Sequence, residues 1–175
     1  MDQLNHAYIA GYIDADGCVT VSMNNNRGYA ISVKVIVGSH DDSFLRQLKN
    51  SYGGNLNLSV QKTKWKTVTR CWRLTIQGKY ALTLLKDIEP YMRYKKEQAK
   101  DAITILENTN MKPGRHNVPA AIKLSRLRCA MNICNANQSN MTRPRKTKMM
   151  TVLEKKMEQL YKMSKYKQLE LRVHA

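Results

Sequence analysis

Tyr8-Ile9-Ala10-Gly11-Tyr12-Ile13-Asp14-Ala15-Asp16-Gly17 is the stretch around which the rest of the chain falls into order. Leu4, Tyr8 and Tyr12, with Ile9 and Ile13, recur at helical spacing, which predicts a helix over residues 4–16. Ala7, Gly11 and Ala15 recur every fourth residue and make a small-residue ridge along one side, where another helix backbone can approach closely. Such ridges are common inside packed proteins. The end of the helix is less ordinary. Asp14 and Asp16 sit in its last turn, where the helix dipole is negative and disfavours a carboxylate. Carboxylate and backbone carbonyl oxygens at a helix end suit hard Mg²⁺, which binds few protein ligands and keeps several waters for phosphate chemistry. A lone Asp-x-Asp-Gly reads better as a pair of solvated turn residues. Gly17 is expected to end the helix with a positive φ.

Two alternating runs follow. In residues 18–24, Val19, Val21 and Met23 share one face, and Thr20, Ser22 and Asn24 the other. In residues 29–37, Ile31, Val33, Val35 and Val37 oppose Ser32 and Lys34, and the Asn-rich stretch 24–28 reads as a hairpin loop. Ser39 and Asp42 resemble a helix start, the Ser39 hydroxyl being placed to accept orphan amide protons. That helix carries Phe44, Leu45 and Leu48 and ends at Gly53-Gly54. A second strand pair covers residues 55–62 and 67–76. Leu56, Leu58, Val60, Val68, Trp72, Leu74 and Ile76 alternate with Asn57, Ser59, Gln61, Thr69, Cys71, Arg73 and Thr75, and Lys62, Lys64, Trp65 and Lys66 crowd the connecting loop. Helices are predicted over 79–88 and 95–107, separated by Glu89-Pro90.

This order predicts an α+β fold: an αββαββα core with a four-stranded antiparallel sheet, aliphatic on the face under the helices and polar on the other. Residues 1–110 form the core domain and residues 111–175 a basic helical extension packed on it. Lys112-Pro113-Gly114 marks the break. Leu124, Leu127, Met131 and Cys134 make a helical stripe with Lys123, Arg126 and Arg128 nearby, and residues 135–147 read as a polar, basic connector. Met150, Leu153, Met157 and Leu160 mark a last helix, in which Glu158 and Lys162 stand one turn apart. Core packing explains both Met-rich stripes.

In 175 residues, 30 Lys and Arg face 13 Asp and Glu, a formal charge of +17. Hydrophobic residues make up 42%, enough for a real core, so this is not a disordered basic tail. No apolar run approaches the roughly 18 residues of a membrane span, and no strongly apolar face opposes a basic one. The first residues lack the basic-then-apolar order of a secretory signal, so an intracellular protein is expected. Cys18, Cys71, Cys129 and Cys134 form no CxxC and lack histidines at zinc-ligand spacing, which points to reduced thiols. A surface this basic attracts polyanions, nucleic acid first. Alternation alone makes the polar sheet face ordinary solvent-exposed surface. The charge favours more, because hydrogen-bonding side chains on a twisted basic sheet suit a DNA groove.

Residues 9–17, IAGYIDADG, resemble the nine-residue signature of the LAGLIDADG homing endonucleases, identical at seven positions with Ile9 and Tyr12 as apolar replacements. The strand and helix order is similar to that family, and so is Pro90-Tyr91-Met92-Arg93-Tyr94-Lys95-Lys96-Glu97-Gln98-Ala99, which resembles its second recognisable block. The resemblance covers roughly residues 4–108. It implies that Asp16 is the metal-binding acid, joined by the Ala15 carbonyl, and that Ala7, Gly11 and Ala15 line a helix-helix interface between two copies. It implies that Lys95 is the active-site lysine, with Gln98 in a supporting polar role, and that Asp14 is structural. Family members often carry a polar residue, commonly Gln, at the end of the second strand. Here that place reads Val37-Gly38-Ser39-His40.

One motif in 175 residues implies the homodimeric class, and a twofold dimer implies a palindromic or nearly palindromic target of roughly 20 base pairs. The reading is thus an Mg²⁺-dependent double-stranded DNA homing endonuclease, with Mn²⁺ as a substitute metal, encoded in an intron of an organelle, bacterium or phage. Base readout is expected from Thr20, Ser22, Asn24, Ser32, Lys34, Asn57, Ser59, Gln61, Arg73 and Thr75, and backbone contact from Lys62, Lys64, Lys66 and Arg70. Two rivals share the scaffold: an intron maturase that binds RNA, and a non-catalytic DNA-binding regulator.

Overall fold

The computed structural model describes residues 5–23, 30–62, 68–109, 118–139 and 147–173; the side chains of 61, 62, 68, 69, 109 and 164–173 are not described. Helix α1 spans His6–Asp16, and the Asn5 side chain accepts the Ala7 amide proton at 2.8 Å to cap its first turn. Ile9, Ala10 and Ile13 point inward and are fully buried. The helix runs directly into β1 (Gly17–Met23) with no turn between them. Gly17 therefore does not take the positive φ expected from the sequence: at φ −81° and ψ 163° it is already extended. Its glycine identity has another cause, since a Cβ there would lie 2.8 Å from the Ile13 backbone.

Strand β1 pairs antiparallel with β2 (Ile31–Ser39), from Gly17 opposite Val37 to Met23 opposite Ile31. The predicted loop at 24–28 lies outside the described residues. After β2, the Ser39 hydroxyl accepts the Asp41 amide proton at 3.2 Å, one residue short of α2 (Ser43–Tyr52), so Ser39 shapes the approach to that helix without capping it. Asp41 accepts the Ser43 amide proton, and Asp42 pairs with Arg46 at 2.7 Å. Gly53 and Gly54 end α2 with φ of 75° and 108°, and a Cβ on Gly54 would meet the Thr75 carbonyl oxygen at 2.8 Å. Strands β3 (Asn55–Lys62) and β4 (Val68–Gln77) pair antiparallel, and β4 pairs with β2, giving the order β1-β2-β4-β3.

The sheet's inner face is Val19, Val21, Ile31, Val33, Val35, Val37, Leu74 and Ile76, all buried. They share one apolar core with Leu45 and Leu48 of α2, with Leu84, Leu85 and Ile88 of α3 (Lys79–Ile88), and with Ala99, Ala102 and Ile105 of α4 (Lys96–Thr109). A short 3-10 turn, Glu89–Tyr91, joins α3 to the segment before α4. The fold is α+β, with the core order expected from the hydrophobic periodicities.

Helix α5 spans Ala120–Ser139, so residues 135–139 are helical and not part of a connector. Asn and Ser have low intrinsic helix preference, but packing overrides it here. The Asn137 side chain donates to the Val19 carbonyl at 2.9 Å, tying α5 to β1 at the edge of the sheet. Leu127, Ala130 and Ile133 of α5 join the same core, as do Leu153 and Leu160 of α6 (Lys148–Val173). Glu158 and Lys162 pair on α6 at 2.8 Å. No helix of the described residues is long and apolar enough to cross a membrane.

Candidate active centre and nucleic-acid interface

The C-terminal end of α1 gathers most of the chemistry. Ala15 and Asp16 are exposed, and among the described residues the Asp16 carboxylate has no hydrogen bond or ion pair. Asp14 is half-buried and fully engaged. It accepts the backbone amide protons of Arg93 at 2.6 Å, Tyr94 at 3.3 Å and Lys95 at 2.9 Å. Lys95 returns the contact: its Nζ donates to the Ile13 carbonyl at 3.1 Å and to the Asp14 carbonyl. The Ile13 carbonyl also accepts the Gly17 amide proton, whereas carbonyls beyond it in the last turn lack intrahelical partners, and a cation there also meets the negative end of the dipole. Lys95 answers both needs while standing beside the motif that carries Asp16.

Cys18, second residue of β1, lies immediately past this point with a half-buried thiol, and the sequence reading gave it no place in the site. Burial pushes the Cys18 thiol pKa up, and the nearby Lys95 ammonium partly opposes the shift. Gln98 lies one helical turn beyond Lys95 but is buried, with its Oε1 unpartnered among the described residues. At the end of β2, Val37 is fully buried. The Gly38 carbonyl accepts the Tyr12 hydroxyl at 3.2 Å, and the exposed His40 bonds through Nδ1 to the Arg70 carbonyl at 2.9 Å.

Ala7, Gly11 and Ala15 are exposed along one side of α1, and a Cβ added to Gly11 would meet nothing within 4 Å. Tyr8 stands on the same helix, 58% exposed, edge-on to Phe44 with ring centroids 5.3 Å apart. Tyr94, at the other end, is 89% exposed.

The register sets out the sheet's outer face row by row. Ser22 pairs with Ser32. Thr20, Lys34 and Gln77 form the next row; Cys18, Ile36, Thr75 and Asn55 follow; then come Gly38, Arg73 and Asn57, and then Cys71 with Ser59. Thr20, Ser22, Ser32, Lys34, Asn57, Ser59, Arg73 and Thr75 thus share one face, and Gln61, opposite Thr69, has the same backbone parity. Arg70 differs: it is exposed but in register with Val60, on the opposite parity. Lys62, opposite Val68, shares that parity. Asn24, Lys64 and Lys66 lie outside the described residues. Asn55 and Gln77 are outer-face residues that the sequence reading missed, although one further step of the same alternation at each strand end reaches them. Lys148, at the start of α6, lines a groove with Val21, Ser22 and Met23 at the end of the sheet far from Asp16.

Among the described residues no three His, Cys, Asp or Glu side chains come together as a metal-binding group. The donors at hand are the Asp16 carboxylate and the carbonyls of the helix end. That is too few for a cage built from one chain. It fits an ion such as Mg²⁺, which keeps several waters and takes one or two carboxylates together with substrate phosphate oxygens.

Residues 3–89 match the family model of a LAGLIDADG-like domain. The DNA endonuclease I-CvuI of Chlorella vulgaris is 28% identical over 112 residues, covering 61% of this chain and 66% of that protein, just under two thirds of its length. A crystal structure of I-CvuI on a DNA target with magnesium, the DNA uncleaved, superposes with a TM-score of 0.60 at 17% identity over 89% of this chain and 93% of that one. The archaeal intron-encoded homing endonuclease I-Vdi141I, complexed with DNA, gives 0.62 at 15% identity over 86% and 95%. I-SmaMI bound to cleaved DNA gives 0.53 at 18% identity over 87% of this chain but 49% of that one. At these identities the structural likeness shows a shared fold.

Proposed function

Because the chain belongs to the LAGLIDADG family, we propose that it is a site-specific double-stranded DNA endonuclease that works as a homodimer and hydrolyses phosphodiesters with Mg²⁺. One observation carries the reading: an exposed Asp16, unpaired among the described residues, stands at the end of an open small-residue ridge, on the helix end that Lys95 bonds and at the root of a polar sheet face. The ridge of Ala7, Gly11 and Ala15 allows two α1 helices to pack closely, which brings two Asp16 carboxylates together. That one copy of this chain matches about half of I-SmaMI supports the pairing.

When bound, the divalent metal would polarise the scissile phosphate and lower the pKa of an attacking water, with Mn²⁺ as a substitute. Asp16 and the Ala15 carbonyl would hold it. Lys95, on the same helix end, stabilises charge developing on the phosphate. Gln98, buried in α4, is assigned a supporting polar role. The outer face of the sheet enters the major groove, where hydroxyl, amide and guanidinium side chains read base edges. Arg70, Lys62, Lys64 and Lys66 are assigned to the DNA backbone. Twofold symmetry makes the target palindromic or nearly so. The intron-encoded setting of I-Vdi141I supports the same origin here, in an intracellular, organellar, bacterial or phage host.

The test uses DNA carrying the intron-less insertion site. The purified chain should cut it with Mg²⁺ and leave it intact with EDTA, and Asp16→Asn should abolish cleavage while sparing binding. Full cleavage by the variant would remove Asp16 from the metal site. Binding with no cleavage under any divalent metal would make the chain a regulator, and preference for intron RNA would make it a maturase.

A further inference from the structure

We propose that Asp14 is a positioning residue for Lys95, and through it for the end of α1 that carries Asp16; the claim rests on the endonuclease reading above. The contacts between the two are reciprocal. Asp14 gives its side chain to the backbone of residues 93–95, and Lys95 gives its side chain to the backbone of residues 13 and 14. Each segment thus bonds the backbone of the other across a sequence separation of about 80 residues, with Asp14 alone holding the amides of residues 93–95.

The physical logic starts with a carboxylate in an unfavourable place. Asp14 is in the last turn of α1, whose dipole repels it. The three amides converging on it lead directly into α4 at Lys96. Of the three, the Lys95 amide sits at the cap of α4 and has no intrahelical acceptor, the Arg93 and Tyr94 amides precede the helix, and the dipole at this end is positive. Asp14 thus exchanges the wrong end of its own helix for the right end of α4. Both carboxylate oxygens are used, Oδ2 by Arg93 and Tyr94 and Oδ1 by Lys95, which fixes the side chain in both position and tilt.

Lys95 needs such a hold. A lysine carries much rotamer entropy on its flexible stem, and an ammonium is a point charge without directional preference. With its backbone amide on Asp14 and its Nζ on the carbonyls of Ile13 and Asp14, the stem is held at both ends. The ammonium is then set two to three residues from Asp16. A carboxamide in place of Asp14 keeps the shape but loses the charge and turns one acceptor into a donor facing an amide proton.

The decisive measurement needs neither metal nor DNA. In the protein labelled at lysine Cε, NMR relaxation should show Lys95 rigid in the wild type and mobile in Asp14→Asn, with Lys100 unchanged. Amide exchange at residues 93–95 should accelerate in the same variant. Lys95→Met should keep those amides protected, because Asp14 holds the segment and Lys95 follows. A rigid Lys95 in Asp14→Asn overturns the proposal, and so does lost amide protection in Lys95→Met. Should Asp14→Asn fail to fold, the Lys95→Met result decides alone. In cleavage, Asp14→Asn should slow single turnover by about tenfold to a hundredfold with DNA affinity in Ca²⁺ unchanged, as expected for a misplaced catalytic group. An unchanged rate overturns the proposal. A wild-type protein that cuts nothing defeats the endonuclease reading and leaves the relaxation result to stand on its own.

Discussion

Gly17 shows how a residue can be singled out correctly for the wrong reason. Glycine at the end of an amphipathic helix ordinarily signals a left-handed cap. Here the chain passes from helix to strand with no intervening turn, and what excludes a side chain is the Ile13 backbone 2.8 Å from the missing Cβ. Gly17→Ala keeps an allowed φ but must push α1 and β1 apart, at a cost of about 1–3 kcal/mol. A melting temperature lowered by several degrees and reduced cleavage are expected; an unchanged melting temperature refutes the close-approach argument. Tyr52 offers a second residue-level test. Its hydroxyl donates to Asp87 at 2.9 Å, and burial, then Asp87, pushes its pKa up from 10 to about 12. The neutral phenol is the form the fold favours, so its stabilisation is full below about pH 10 and is lost as pH rises toward 12. Tyr52→Phe should cost about 1 kcal/mol at neutral pH and weaken the alkaline fall in stability, as read by urea unfolding. The role of Asp14 was not legible in the sequence beyond its being structural. Its partners are backbone amides some 80 residues away, and backbone amides leave no trace in side-chain identity.

At the scale of elements, hydrophobic period carried the reading well. Strand alternation assigned nine described side chains to one sheet face, Cys71 among them, because a buried inner face allows no slip in register. It failed at strand ends, where Asn55 and Gln77 were left out. It also failed at residues 135–139, where the tertiary bond from Asn137 to Val19 rewards a helix that local preference does not. The ridge on α1 is the element with the clearest consequence. Among the described residues nothing lies within 4 Å of a Cβ at Gly11, so a side chain can start there without a clash at its first atom, and helix propensity improves. Gly11→Glu should therefore keep or raise the melting temperature while sedimentation shows monomers and cleavage is lost, since each copy is proposed to supply one carboxylate. A Gly11→Glu protein that remains dimeric and active would show that the chains meet elsewhere.

For the whole molecule, the charge of +17 and the geometry of the sheet make separable contributions. Charge attracts any polyanion, and pairing two copies doubles it. If about six to ten phosphates are neutralised, affinity should fall by about 10³-fold or more between about 50 and 200 mM salt, whatever the base sequence. On the proposed reading, the outer face is where one sequence is preferred over another. Arg73 and Asn57 are opposite each other in its row, both exposed, one with a guanidinium suited to guanine and the other with a carboxamide suited to adenine. Lys148 sits off the sheet, beside Ser22, as a point charge. The two kinds of residue should therefore fail differently. Arg73→Ala should lower affinity for the specific site by about 1–3 kcal/mol and leave non-specific binding and the salt slope nearly unchanged, whereas Lys148→Ala should weaken both kinds of binding alike and flatten the slope by about one unit. Binding isotherms over a salt series, on the insertion site and on random duplex, separate the two outcomes. If Arg73→Ala instead weakens both duplexes equally, the sheet contributes charge alone, and specificity must come from DNA shape or from a surface other than the outer face.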